Sequence, residues 1–343
     1  MNESWRAAAL APPRAHGEPV AKGRLRVEPE DFQVEEQLGF APSGAGPHVL
    51  LKVRKRNANT EWVAKQLAHA VGCKSFDVGF AGLKDRRAVA IQWFTVPQPR
   101  KADVPLAELR TAEFEVLEAH AHSRKLPRGA LAGNRFDIRI RDFEGDATAV
   151  AGRLDALARC GVPNYFGPQR FGRDGGNLAR IGADPRLLHP NDRKFALSAA
   201  RSLIFNAVLA ARVGEGTWCR LEAGDVANLD ERGSIFAVEG VDEELRERIE
   251  RLDIHPTGPM WGAGDLLTRD RIRALEEGVA AEFPEASASL TMMRQERRSL
   301  RLAVRDLTWH RDGSTLQVAF RLTKGSFATT VLSELLAGEV GDE

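Results

Sequence analysis

The chain has 343 residues, 43% of them hydrophobic and 28% charged, which supplies a core for two domains and excludes a disordered or fibrous protein. A formal net charge of +1 carries no global signal for nucleic acid, and the single tyrosine, Tyr165, leaves phenol chemistry one candidate. Cys73, Cys160 and Cys219 lie far apart without a C-x-x-C pair, which speaks against a disulfide framework or thiolate metal site and for a reducing compartment.

Residues 1–23 read as an irregular leader without an apolar signal core. No run approaches the roughly 18 apolar residues of a membrane span, so a cytosolic (cytoplasmic) protein is expected. Leu25 to Glu36 alternates like a strand around a turn at Pro29-Glu30-Asp31. Val49 to Val53 reads as a buried strand, and Asn59-Thr60 supply an N-cap for a helix whose apolar spacing runs from Glu61 to Ala68. A glycine-rich turn follows, Gly79-Phe80-Ala81-Gly82-Leu83-Lys84-Asp85-Arg86-Arg87. Ala90 to Val96, Phe114 to Ala119 and Arg135 to Ile140 are strand-like, the last placing Phe136, Ile138 and Ile140 on one face. A helix is predicted from Thr148 to Cys160, ended by Gly161 and Pro163. The next region is richer in helix, at Lys194 to Val213, Asp242 to Leu252 and Arg269 to Glu282. Ser299 to Val304 and Leu316 to Leu322 return to strand, and Phe327 to Leu336 to helix. The tail alternates like the first part, so the middle reads as an insertion and the tail as completing the first sheet.

Asp85 stands among Lys84, Arg86 and Arg87, where neighbouring positive charge favours its ionised form and draws a polyanion toward it. Taken alone, an Asp in such a turn is more often a cap or turn former than a catalyst. Further basic clusters occur at Lys52, Arg54, Lys55 and Arg56, at Arg124, Lys125 and Arg128, and at Arg135, Arg139 and Arg141, while much acidic charge lies after residue 242. This fits either a basic face opposite an acidic back or a set of unrelated solvated faces. No phosphate-binding loop and no G-x-G-x-x-G after a strand support a nucleotide cofactor. His120-Ala121-His122 lacks a third ligand, so no metal site is expected.

Read together, several blocks resemble the TruD-type tRNA pseudouridine synthases. They are Pro29 to Glu36; Phe80-Ala81-Gly82-Leu83-Lys84-Asp85 with Gln92-Trp93; His122 through Lys125-Leu126, Gly129 and Gly133-Asn134-Arg135-Phe136; Gly161 to Gly172, containing N-Y-F-G-x-Q-R-F-G; Ser198 to Ser202 with Phe205-Asn206; and Lys324 to Thr329. The resemblance implies an α+β fold, a catalytic domain with a mixed, largely antiparallel sheet plus an inserted α/β domain. The expected boundaries are 1–160 and 304–343 for the catalytic domain and 161–303 for the insert.

It also implies an isomerase that converts uridine to pseudouridine at position 13 of tRNA, chiefly the glutamate tRNA. The bond from the sugar to uracil N1 breaks, the base turns, and C5 bonds to the same sugar carbon. This is redox-neutral, so no cofactor is implied, and tRNA is the partner, with no membrane or protein partner. By motif position Asp85 is the catalytic aspartate, attacking C1′ or removing the C2′ proton. Phe32, Phe136 and Phe327 fall to uracil stacking and shape, and Asn134 to the uracil edge. Lys84, Arg26 and Gln92 take supporting roles. Tyr165, Gln169 and Arg170 either contact RNA or hold the domain junction. One departure is Ala90, where the family commonly has Thr, which removes a hydroxyl from the neighbourhood of Asp85. The rival readings are a synthase for another RNA site and an RNA-binding or folding protein with vestigial pseudouridylation.

Overall fold

The computed structural model of the chain describes residues 5, 9–99, 105–172, 175–182 and 188–338. The chain forms two compact units, one of Val20–Val150, Val304–Ala328 and Leu336–Glu343, the other of Met1–Pro19, Ala151–Ala303 and Thr329–Leu335.

In chain order the first part carries β1 (Ala21–Arg24), β2 (Phe32–Gln37), β3 (His48–Arg56), α1 (Thr60–Val71), β4 (Gly79–Phe80), β5 (Val89–Pro97), β6 (Phe114–His122) and β7 (Gly133–Gly145). The middle carries α2 (Ala147–Cys160), β8 (Val162–Pro163), α3 (Pro190–Gly214), β9 (Val226–Leu229), β10 (Ile235–Ala237), α4 (Glu243–Glu250), β11 (Ile254–Met260), α5 (Asp270–Ala281), α6 (Pro284–Ser289), β12 (Glu296–Ser299) and β13 (Arg301–Leu302). The tail adds β14 (Arg305–Asp312), β15 (Thr315–Thr323) and α7 (Ala328–Ser333).

The first unit is built on a nine-stranded sheet in the order β14-β15-β7-β2-β5-β3-β6, with β1 beside β7 and β4 beside β5. Among the strand pairings of the described residues in this sheet, β2 and β5 run parallel and the others antiparallel, so the sheet is mixed and largely antiparallel. β3 shows how alternation sets the layers. Val49, Leu51 and Val53 face Val63, Ala64 and Leu67 of α1 in one apolar core, and Lys52 and Arg54 point the other way. α1 ends at Gly72, whose left-handed φ of 71° closes the last turn.

The second unit packs α3 against α5 and α6 through Leu203, Ile204, Ala280, Phe283 and Ala286. α3 begins with Pro190 at its first position and extends the expected Lys194 to Val213 helix at its start. It is long and apolar enough to cross a membrane, which amends the expectation that no such segment exists. Two thirds (67%) of its most apolar stretch is buried in this fold, so its hydrophobicity is accounted for by core packing.

The region read as helix-rich also contains a four-stranded sheet, β10-β9-β11-β12, and the pair β13–β8. β11 includes Pro256 and Pro259, residues that cannot donate to a ladder. They are tolerated because β11 changes partner midway, pairing with β9 up to Pro256 and with β12 from Thr257. Buried ion pairs brace this unit: Arg212 to Asp225 at 2.8 Å and Arg297 to Glu276 at 2.7 Å.

Candidate active site

Asp85 sits on an irregular loop between β4 and β5, and the sheet register explains how that loop is held. β3, β5, β2, β7 and β15 place Lys55, Ala90, Val34, Phe136 and Phe320 in one row across the sheet. One row on, Glu36 lies beside Asn134, and Asn134 beside Leu322. Lys55, Gln92 and Glu36 therefore rise from one face of three neighbouring strands, and all three reach up to the loop.

Gln92 is buried and donates to the Gly82 carbonyl at 2.6 Å. Thr60, the first residue of α1, accepts from the Lys84 backbone N–H and donates to the Gln92 side-chain oxygen, both at 3.0 Å. The N-cap itself is Asn59, whose side chain makes no capping bond. Lys84 pairs with Glu36 at 2.6 Å, while the second Glu36 oxygen accepts from the Trp93 backbone N–H at 3.0 Å. Lys84 is thus committed to a buried carboxylate and is not the cation bonded to Asp85.

That cation is Arg26, which meets the Asp85 carboxylate at 2.9 Å. Burial pulls the Arg26 pKa down and Asp85 pulls it back up. Its guanidinium lies 4.2 Å from the centre of the Phe32 ring. A second cation stands beneath: Lys55 is fully buried and donates to the backbone carbonyls of Ala58 at 2.7 Å and Asp85 at 2.8 Å, with Lys84 at 3.5 Å. Burial lowers the Lys55 pKa to about 8, opposed by the negative charge of Asp85. The result is a half-exposed carboxylate (49% of the side chain) on a loop pinned at four points, flanked by two fixed cations.

The turn before β2 fixes the other wall. Asp31 is buried, accepts from Arg141 at 2.9 Å through both oxygens and from the Glu28 backbone N–H at 2.9 Å. Phe32 follows it, buried, edge-on to Phe136 with ring centres 6.1 Å apart, and Phe136 in turn packs on Phe320 at 5.6 Å. Phe327, after the turn that leaves β15, is 53% exposed. Asn134 is buried, and its side-chain oxygen has no hydrogen-bond partner among the described residues. A buried unpaired carbonyl is costly unless a ligand supplies a donor. Ala90 is fully buried beside Lys55 in the sheet row.

The expected support residues are therefore placed in two ways. Arg26 contacts Asp85 directly, whereas Lys84 and Gln92 hold the loop that carries it. Lys55, Thr60 and Glu36 belong to the same assembly, although sequence reasoning gave them no such place. In the structure the end of β3 alternates, turning Lys55 inward between the exposed Arg54 and Arg56.

The N-Y-F-G-x-Q-R-F-G block lies in the other unit and is braced within it. Asn206 accepts from the Phe166 N–H at 2.9 Å and donates to the Phe166 carbonyl at 3.0 Å. Arg298 lies 4.3 Å from the Phe166 ring centre and donates to Asn164 at 2.7 Å; burial, then nearby Arg170, lowers its pKa to about 10. The Tyr165 hydroxyl is buried and its pKa is pushed up by that burial, whereas Gln169 and Arg170 are exposed. His120 pairs with Glu118 at 2.9 Å, and His122 stacks on Phe40 at 5.5 Å, so each of the two histidines has its own neighbours.

Relatives called tRNA pseudouridine synthase D match along nearly the whole chain: one from Xanthomonas axonopodis pv. citri is 44% identical over 352 residues, covering 96% of this chain and 95% of its own. Another, from Methylococcus capsulatus, is 46% identical over 331 residues and covers 94% of both. The crystal structure of a Methanosarcina mazei protein described under the same family name superposes with a TM-score of 0.76 over 99% of each chain at 21% identity, a likeness of fold. The family model for tRNA pseudouridine synthase D (TruD) matches residues 14–184 and 185–335, taking in the Asp85 loop, the Asn134 strand and the braced N-Y-F-G block alike, and the chain belongs to that family.

Proposed function

We propose that the protein isomerises uridine to pseudouridine at position 13 of tRNA, chiefly the glutamate tRNA, with Asp85 as its catalytic carboxylate. The observation that carries this reading is the Asp85 carboxylate, half exposed on a loop pinned by Thr60, Gln92 and Lys55 and paired with Arg26 at 2.9 Å. A carboxylate that must attack C1′ or accept the C2′ proton has to be ionised, reachable and held in one place. Arg26 and Lys55 place positive charge beside it, and the pinned loop supplies the positioning. In either role the bond from C1′ to N1 breaks, uracil turns and C5 bonds to C1′; as it does so the Asp85–C1′ bond breaks, or C2′ takes its proton back, and the proton lost from C5 is balanced by one gained at N1.

The target base has to leave its stack to reach Asp85. Asn134 then accepts from the uracil N3–H through its unpaired oxygen, and the half-exposed Phe327 offers a stacking face. Phe32 and Phe136, both buried, shape the floor, and Phe32 lies under Arg26. On this reading the unit containing the nine-stranded sheet is the catalytic domain, the middle of the chain is the insert, and the enzyme works in the cytoplasm on tRNA without a cofactor.

Mapping by carbodiimide-blocked reverse transcription on total tRNA, with wild-type protein and with Asp85→Ala, tests the reading. A stop at position 13 with wild type alone is the expected result, with tRNA binding retained by the variant. A stop elsewhere would move the substrate, and a stop that survives Asp85→Ala would remove Asp85 from the mechanism. Binding without any stop would favour the RNA-binding reading.

A further inference from the structure

A cavity of about 530 Å³ opens beside β4, just before the loop that carries Asp85, and none of its lining is used in the site described above. Phe76 stands on its rim with 69% of its surface exposed. The ring is displayed by a rigid turn: the Asp77 N–H donates to the Lys74 carbonyl at 2.9 Å, and the Asp77 carboxylate accepts from the Lys74 N–H at 3.2 Å. The Lys125 ammonium bonds to the Phe76 carbonyl, fixing that residue from the opposite wall. A large apolar ring held rigidly in water is a marked surface feature, since exposure of this kind contributes nothing to the core.

Its surroundings are cationic. Lys65, Lys125 and Arg128 line the cavity, and the Lys74 ammonium lies 5.6 Å from the centre of the Phe76 ring. Arg128 lies flat over Phe80 at 3.6 Å. None of these four pairs with a carboxylate among the described residues, whereas Lys52, Arg54 and Arg56 on β3 all do. Glu61 is the single carboxylate in the lining. The wall is also tied to the catalytic loop, because the Gly129 N–H donates to the Ala81 carbonyl at 2.7 Å. The close approach that forms this corner requires Gly79: a Cβ there would sit 2.6 Å from the Leu126 carbonyl.

We propose that this cavity is a second nucleotide-binding subsite, which takes an unstacked nucleotide of the RNA substrate other than the target uridine. The base stacks on Phe76, Lys65, Lys125 and Arg128 receive the flanking phosphates, and Glu61 selects for a base edge that carries an N–H donor. An exposed aromatic among unpaired cations is the combination that binds single-stranded nucleic acid, with the ring taking any base face and the cations the backbone. The proposal rests on the assignment of RNA as substrate, and it adds a site that orients that RNA from β4 and α1.

The test uses full-length protein and unfractionated tRNA. KM and kcat are measured for wild type, Phe76→Ala and Phe76→Tyr, and Kd for the same changes in the Asp85→Ala background. Phe76→Ala should raise both KM and Kd roughly tenfold with kcat unchanged, and Phe76→Tyr should restore them. Lys65→Gln should make the fall of log K with log salt shallower by about 0.7 to 0.9. Thermal midpoints of all the variants should match wild type, because both side chains are exposed. If wild type turns over tRNA and Phe76→Ala does so with the same KM and Kd, the subsite does not exist. Failure of Phe76→Tyr to restore binding, or an unchanged salt slope for Lys65→Gln, would remove stacking or phosphate contact respectively and with it this assignment. If wild type neither binds nor modifies tRNA, the underlying reading fails and the subsite falls with it.

Discussion

Lys55 shows how one side chain can couple stability to activity in opposite senses. Its ammonium is buried under the Asp85 loop, bonded to carbonyls, and its pKa is lowered from 10.5 to about 8. Between those two values the folded chain binds fewer protons at this position than the unfolded chain, so stability rises with pH across the window. Burial of the charge is costly below pH 8, and the cost fades as the charge is lost. Thermal midpoints recorded from pH 8 to 10 should climb more steeply for wild type than for Lys55→Met, which has no such group to titrate. Equal slopes would show that Lys55 is not buried as a cation. Over the same range the neutral amine loses one donor and its pull on Asp85, so kcat should fall while stability rises. The buried carboxylate Glu36 is a different case, since its cation Lys84 is largely buried with it; removing one partner of such a pair costs about 3–5 kcal/mol. The Arg26–Asp85 pair is more exposed and contributes little to stability, about 0–1 kcal/mol, so its value lies in placement of charge.

Among elements, the start of α1 bears most directly on the site. Thr60 spends its hydroxyl on the Asp85 loop and not on its own helix. Thr60→Val keeps the shape and leaves the Lys84 N–H and the Gln92 oxygen without that partner, a loss of about 1–3 kcal/mol. Single-turnover kinetics should show kcat reduced with KM near wild type, and far-ultraviolet circular dichroism should be unchanged. A raised KM with normal kcat would mean that the loop binds RNA and does not position the catalyst.

Much of the element pattern was legible in the sequence because it is periodic. α3 and α5 repeat every three to four residues, and Asp242 caps α4 by accepting from the Leu245 N–H at 2.9 Å. β14 and β12 were not legible as strands, since Arg305–Asp312 and Glu296–Ser299 are polar and half exposed, and β11 is interrupted by prolines. The site divides the same way. Asp85, Asn134 and Phe136 lie in contiguous motifs, whereas Lys55, Thr60 and Glu36 are brought to the loop by strand register and a helix start, which one-dimensional spacing does not encode. Lys55 in particular reads as one more member of a surface basic cluster.

For the whole molecule, that distinction changes the electrostatics. Lys52 and Arg54 meet Glu118 and Glu115 across the sheet, Arg56 meets Glu30, Arg141 meets Asp31, and Lys84 meets Glu36. Cations already paired release few counterions on binding RNA. The slope of log K against log salt for tRNA should therefore be no steeper than about −6, where the full set of clustered cations would give roughly −9 to −12. A slope in the steeper range would show that RNA displaces these internal pairs.

The pairing of β15 with β7, from Leu316 opposite Ile140 to Thr323 opposite Gly133, has a consequence for how the protein is made. The two strands are neighbours in the sheet but are separated in sequence by the whole middle of the chain. At about 5–20 residues per second, a ribosome delivers β15 roughly 10–35 s after β7 emerges. Throughout that interval one long edge of β7, including the backbone of Asn134 and Phe136, has unpaired N–H and C=O groups. A nascent chain in that state presents an open sheet edge, the kind that pairs with other chains. Synthesis therefore leaves the site incomplete until β15 is added, and the strand bearing Asn134 is the one most in need of protection meanwhile.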